Sequence, residues 1–242
     1  MTKPTGTVST PGAETGSATP GNAPGPSGAP QSPARNGEDA PRLDGSRVFQ
    51  RLDTCAGFPY SLSEYARRAL WIVVYALLIR HSPGRLAGWR RFWLKRFGAK
   101  IAPTCNIRPS ARIRHPWLLE MGDYSTLADD VEVYNLGPIR IGAHTVISQN
   151  VHLCNGTHDY RDPSLPLLRP EMTIGSGVWV CADAFVGPGV TIGDNALVGA
   201  RAVAMRDIPA DVIASGNPCK VLRDRPMDFE KFAPGGGPAD RR

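Results

Sequence analysis

No two of the five cysteines in this 242-residue sequence stand closer than the 27 positions between Cys154 and Cys181. That spacing excludes a C-x-x-C zinc or redox motif, and the odd count of Cys55, Cys105, Cys154, Cys181 and Cys219 argues against a disulfide framework. The N-terminus, MTKPTGTVST, has one Lys and no apolar core, so no secretory signal is read there. No stretch reaches the roughly 18–20 continuous apolar residues of a spanning helix. These absences together point to a reduced, cytoplasmic compartment. Acidic side chains are scarce in one segment: residues 47–100 hold 11 basic and 2 acidic residues, net +9, against −1 for residues 1–46 and −2 for residues 101–242. No nucleic-acid reading motif accompanies that charge, so no nucleic acid is expected as a partner. A surface meeting anionic lipid headgroups explains a localised patch at least as well.

Gly and Pro are in excess, 26 and 23 residues, which disfavours a mostly helical protein. Residues 1–46 take 8 of each and hold no aromatic residue. Such a segment buries too little apolar surface to offset its ordering entropy and is predicted to be disordered. Past it, Ser61 or Ser63 is placed to cap a helix with Glu64 in its first turn. The run ALWIVVYALLI, Ala69–Ile79, is apolar all round, so that helix must be buried on several sides or sunk in an interface. Pro83 and Gly84 end it. A second helix is predicted from Leu86 to Phe97, with Leu86, Trp89, Trp93 and Phe97 on one face and Arg90, Arg91, Lys95 and Arg96 on the rest. Two readings stand for the pair: a cover for the end of the next domain, or that cover with added peripheral membrane contact through Trp and Arg.

From Ile101 the period changes to six. The chain from Ile174 divides into IGSGVW, VCADAF, VGPGVT, IGDNAL and VGARAV. The first positions, Ile174, Val180, Val186, Ile192 and Val198, are all β-branched. The same phase holds at Ile141, Ile147 and Leu153, at Met121, Leu127 and Val133, and at Ile101, Ile107 and Ile113. It slips by two residues after Ile113 and again after Val133. Six is neither a helical nor a hairpin period. It fits a three-sided coil in which the aliphatic residue points inward and stacks on its equivalent in the next turn, and small or Asn/Asp residues make the corners. Backbone pairing between turns then gives an all-β parallel solenoid, with raw ends that the two helices are placed to cover.

These units match [LIV]-[GAED]-x-x-[STAV]-x, and the chain resembles the left-handed β-helix (hexapeptide repeat) acyltransferases. Left-handed coiling and a homotrimer are what that resemblance implies. The segment VGARAVAMRDIPADVIASGNPCKVLR, Val198–Arg223, is similar to the closing segment of the xenobiotic, maltose and galactoside acetyltransferases. GWRRFWLKRFGAKI, VYNLGPIRIG and CNGTHDY look most like the colanic acid biosynthesis acetyltransferase group. Met205 departs from the common pattern, where Thr is usual. The expected organisation is a disordered tail (1–46), a basic helical cap (47–100), a left-handed β-helix acyltransferase domain (101–210) and a C-terminal tail folding back over the last coils (211–242).

Acyl transfer from a thioester to an alcohol needs a base near neutrality, a donor for the oxyanion and two substrates held together. Of the five histidines, His158 stands where the register fails, in a Pro-rich run of 21 residues from Leu153 to Ile174, so it is the expected base, as the resemblance also implies. Asp159 either orients its ring or caps the loop turn. His144 and His152 sit on solenoid sides and are read as structural or at the subunit surface. The donor expected is acetyl-CoA, whose phosphates suit Arg201, Arg206, Lys220 and Arg223. By resemblance Trp179, Ala182, Ala200, Arg206, Lys220 and Arg223 fall at cofactor-contact positions. Asn135 is a candidate contact to the acceptor, against a role in its turn. The implied reaction is O-acetylation of a sugar hydroxyl in polysaccharide or lipid-linked glycan assembly, in the cytoplasm or at the inner membrane face, with no metal. Two alternatives are weighed against it: a non-catalytic trimeric scaffold, and a zinc enzyme of the γ-carbonic-anhydrase type. For the zinc enzyme, His152 and His158 are spaced too widely.

Overall fold

The computed structural model describes Gln50 and residues 60–227; the reading of 1–46 as a tail, and the end of the chain past Met227, lie outside the described residues. Strands of two to four residues wind into a three-sided parallel solenoid. The first side stacks Lys100–Ile101, Leu119–Met121, Ile139–Ile141, Met172–Ile174 and Thr191–Ile192. The second stacks Asn106–Ile107, Thr126–Leu127, Val146–Ile147, Trp179–Val180, Leu197–Val198 and Val212–Ser215. The third stacks Arg112–Ile113, Glu132–Tyr134, His152–Cys154, Phe185–Val186 and Val203–Ala204.

Each inward column is the hexad's first position. Ile101, Met121, Ile141, Ile174 and Ile192 pair in sequence down the first side, and none is more than 4 % exposed. Corners turn through left-handed backbone at Tyr124, Asp130, His144, Asn150, Asp183, Asn195 and Arg201. Asn and Asp tolerate that region better than most residues; the other three accept the strain. At Gly142 the successive coils come so close that a Cβ would lie 2.5 Å from the Ser176 amide nitrogen. Two buried hydroxyls brace that corner from inside. Ser125 Oγ donates to Gly142 O and accepts from Thr145 N, and Thr145 Oγ1 repeats the pattern on Gly175 and Val178.

The coils are not of one length. Partners stand 20 positions apart in the early turns, 18 and finally 16 in the later ones, and 33 apart across the interruption. Both two-residue slips, at His115–Leu118 and at Asn135–Pro138, fall between the third side and the first. The long interruption leaves at the same corner. All irregularity is therefore gathered on one edge of the prism.

Helix α1 (Leu62–Val74) is capped by Ser61 Oγ, which accepts from Glu64 N, and runs on through a π turn, Tyr75–Ile79. Helix α2 spans Ala87–Arg96. The pair covers the open edge of the first coil. Trp71 Nε1 donates to Ile113 O at 2.8 Å, Arg90 Nε to Ile107 O at 2.5 Å and Arg91 Nη1 to Cys105 O at 2.6 Å. Of the face expected on α2, Phe97 is buried and Trp93 packs on the core, but the rest is corrected. Arg90 and Leu94 point inward at 0 and 1 % exposure, while Leu86 and Trp89 are 47 and 41 % exposed. An unpaired strand edge presents carbonyls, which an apolar stripe cannot satisfy and a guanidinium can; Arg90 also donates to Pro83 O and Gly84 O. At the other end, Lys220–Asp224 folds back antiparallel on Val212–Ser215, and Arg225 Nη1 donates to Gly177 O and Asn195 O. No helix among the described residues is long and apolar enough to cross a membrane.

Candidate active site

The interruption folds as a small antiparallel hairpin, Thr157–His158 against Leu167–Leu168, standing off the prism. His158 is exposed on it. Its Nδ1 lies 2.6 Å from Leu165 O. A carbonyl accepts only, so Nδ1 carries the hydrogen and Nε2 of the neutral ring keeps a free lone pair. Leu165 sits at φ +48°, and the turn that aims its carbonyl is built by Asp162, whose O accepts from Leu165 N and whose carboxylate accepts from Ser164 N. The Ser164 amide and hydroxyl, both donating to it, hold the Asp162 carboxyl below its usual range. Of the two roles open to Asp159, the structure shows the cap: its Oδ1 accepts from Arg161 N at 3.0 Å, and the ring is oriented by Leu165 instead. That partner is a main-chain carbonyl, which no residue type announces.

His158 and Leu167 face a cleft of about 390 Å³ completed by Tyr60, Arg68, Ile72, Arg114, His115, Tyr134 and Leu136. Arg68 stacks 3.3 Å above the Tyr60 ring and Arg114 5.0 Å from that of Tyr134. Arg68 also pairs with Glu64 at 2.8 Å. The cleft therefore offers aromatic faces, guanidinium donors and one imidazole acceptor. None of its walls but His158 was singled out from sequence, because they come from α1 and from two corners distant along the chain.

Asn135 is a correction. It is 0 % exposed; its Oδ1 accepts from His115 N and its Nδ2 donates to His115 O. His115 Nδ1 completes the clasp on Asn135 O at 2.7 Å. The amide is spent on holding two coils together, so the turn role is the one observed. Burial holds the His115 pKa down, to about 4, against the opposing hydrogen bond to Asn135. One coil on, Asn155 repeats the device on Gly137 N and Pro138 O.

Trp179 stands on the second side, 43 % exposed, with Nε1 donating to Ser148 Oγ. Ala182 and Ala200 lie on the corner that follows it, joined through Ala182 O, which accepts from Arg201 N. Lys220 and Arg223 are exposed on the closing strand of that same side. Arg206 stands apart, between Val203–Ala204 and Ile208, on the corner that carries the His158 hairpin. Within one chain the structure thus groups five of these six positions together and sets them on different faces of the prism from His158. Arg201 lies 3.9 Å from Asp183. Among the described residues no three His, Cys, Asp or Glu side chains are placed to hold a metal ion.

A three-sided hexapeptide solenoid with an oriented imidazole at its one interrupted corner fits the hexapeptide-repeat acyltransferase class. Residues 171–203 match the family model described as Bacterial transferase hexapeptide (six repeats). The chain is 47 % identical over 156 residues to Putative colanic acid biosynthesis acetyltransferase WcaF of Escherichia coli (strain K12), covering 64 % of this chain and 86 % of that one. Among solved structures it is similar to a maltose O-acetyltransferase from Clostridium difficile 630, at 24 % identity and TM-score 0.62 over 69 % of this chain and 90 % of that one. It is also similar to the hexapeptide-repeat acetyltransferase VCA0836 from Vibrio cholerae O1 biovar eltor complexed with acetyl coenzyme A, at 25 % identity and TM-score 0.61 over 69 and 91 %. The chain belongs to the hexapeptide-repeat acetyltransferase family and is an acyltransferase, which sets aside the scaffold and zinc-enzyme alternatives.

Proposed function

We propose that the chain transfers an acetyl group from acetyl-CoA to a sugar hydroxyl in polysaccharide or lipid-linked glycan assembly, working as a homotrimer. The observation that carries the reading is His158, whose ring is locked by Leu165 with its basic nitrogen unengaged beside a cleft of sugar-compatible walls. Aromatic faces and guanidinium donors suit a polyhydroxylated ring. The relative named for colanic acid biosynthesis and the relative bound to acetyl-CoA support the acceptor and donor classes.

In the proposed reaction His158 Nε2 accepts the hydroxyl proton as the alcohol oxygen attacks the thioester carbon. The tetrahedral oxyanion collapses, the thiolate leaves, and the imidazolium returns its proton to sulfur. Trp179, Ala182, Ala200, Lys220 and Arg223 form the proposed donor contacts, with Arg206 on the corner that carries the His158 hairpin. Because these faces are separated within one chain, the trimer places the donor face of one copy against the His158 corner of the next.

The test is His158→Ala. Turnover should fall about 10²–10⁴-fold, while calorimetry should find coenzyme A bound as before. Unchanged turnover ends the assignment of the base; absence of coenzyme A binding to the unmodified protein ends the assignment of the donor.

A further inference from the structure

We propose that the outer face of α1 and α2 is a docking surface for an anionic phospholipid bilayer. Helix α1 and the π turn after it bring Trp71 and Ile79 onto the solenoid but leave Leu62, Leu70, Val73 and Leu77 each more than half exposed. Helix α2 adds Phe92, 57 % exposed, and Trp89, 41 % exposed. So many large apolar side chains left exposed on two neighbouring helices mark a contact surface. Its surroundings say what kind. Between Glu64 and Glu120 the sequence contains no acidic residue and 12 basic ones. Arg80, Arg85, Lys95 and Arg96 are exposed around the apolar stripe and make no ion pair among the described residues.

Between the helices lies an apolar groove of about 490 Å³, lined by Leu70, Val74, Trp93 and Phe97, with Arg67 and Arg96 also on its wall. The Trp93 indole N–H is buried and finds no acceptor. A trough of this make-up matches an acyl chain beside a phosphodiester, since guanidinium meets phosphate in fork geometry and Trp concentrates at the headgroup level of bilayers. A second copy of this chain is the poorer occupant, because self-contact through this face sets cation against cation. An amphipathic, cation-flanked helix pair lying in an interface is a known mode of membrane attachment. Helix α1 also lends Arg68 and Ile72 to the His158 cleft, so a docked chain holds that cleft at the lipid surface. This last consequence rests on the acceptor reading above; the docking does not.

The test is flotation of the full chain with vesicles of phosphatidylcholine and with vesicles rich in phosphatidylglycerol. The protein should float with the anionic vesicles only, and less so as salt shortens the screening length. Arg80→Glu with Arg85→Glu should weaken partitioning by about 25-fold or more, at about fivefold per cation lost. Leu77→Glu with Phe92→Glu should abolish it. All four side chains are exposed and outside the cleft, and unchanged far-ultraviolet circular dichroism confirms each variant is folded. A chain that stays in the aqueous phase with anionic vesicles at low salt overturns the proposal. So does equal flotation with both lipids, or a change of particle mass in Leu77→Glu with Phe92→Glu without vesicle binding, which would assign the face to a second copy. Flotation reads no acetyl transfer, so its outcome is independent of the His158 assignment.

Discussion

Two histidines wall one cleft and are held in opposite ways. His158 is exposed and anchored through Nδ1 to Leu165 O, while His115 is 2 % exposed and locked on Asn135. Burial depresses the His115 pKa to about 4, below the ordinary imidazole value of 6.5. The unfolded chain therefore takes a proton near pH 6.5 that the native chain refuses until about pH 4. Above pH 6.5 the group contributes no pH dependence; between there and pH 4 acidification favours the unfolded state, by up to about 3 kcal/mol. His115→Gln removes this liability. Denaturant unfolding at pH 7 and pH 4.5 should show a loss of stability in the parent chain that exceeds the variant's by on the order of 2 kcal/mol. Equal losses would mean that His115 titrates as a solvated ring. The two differ in how far sequence betrays them. His158 was legible because it stands where the hexad fails. His115 was not, because a buried and an exposed histidine are the same letter, and its partner Asn135 lies a full coil away.

At the scale of elements, the columns of aliphatic residues were readable because period six leaves one inward position per side, and every partner pair in the ladder follows it. The edges were less so. The face expected on helix α2 was half right, holding at Trp93 and Phe97 but missing Arg90, because hydrophobic periodicity counts carbon and is blind to the row of carbonyls on the first coil, which Arg90 and Arg91 satisfy. The irregular corner was visible as two slips and one insertion, but its bracing was not. Asn135 and Asn155 each replace a missing strand bond by closing two hydrogen bonds on the neighbouring coil. Asn155→Ala strands the buried Gly137 N–H, while Pro138 O keeps the Met172 amide, and the loss should cost about 1–3 kcal/mol in unfolding free energy. Because Leu136 walls the His158 cleft, the same variant should raise the KM for the acceptor more than it lowers kcat. A variant with parental stability would show that water replaces the amide and that the clasp contributes little.

At the scale of the molecule the sequence names candidate parts of a site, but not where they meet. Trp179, Ala182, Ala200, Lys220 and Arg223 lie on the second side and its following corner, and the His158 hairpin leaves from the next corner. If the proposed trimer joins these faces, each site takes its base from one copy and its donor contacts from another. Two variants separate that arrangement from a site completed within one chain. His158→Ala removes the base, and Ala200→Trp places an indole on an exposed corner where the pantetheine arm is proposed to lie. Each alone should be nearly inactive. Mixed by co-expression in equal amounts, random assembly pairs an intact base with an intact donor face at about one interface in four. The mixture should therefore regain about a quarter of the parental turnover, with coenzyme A binding restored in proportion to the His158→Ala chains present. A site completed within a single chain predicts no recovery at any mixing ratio, because every chain then carries one lesion in its own site.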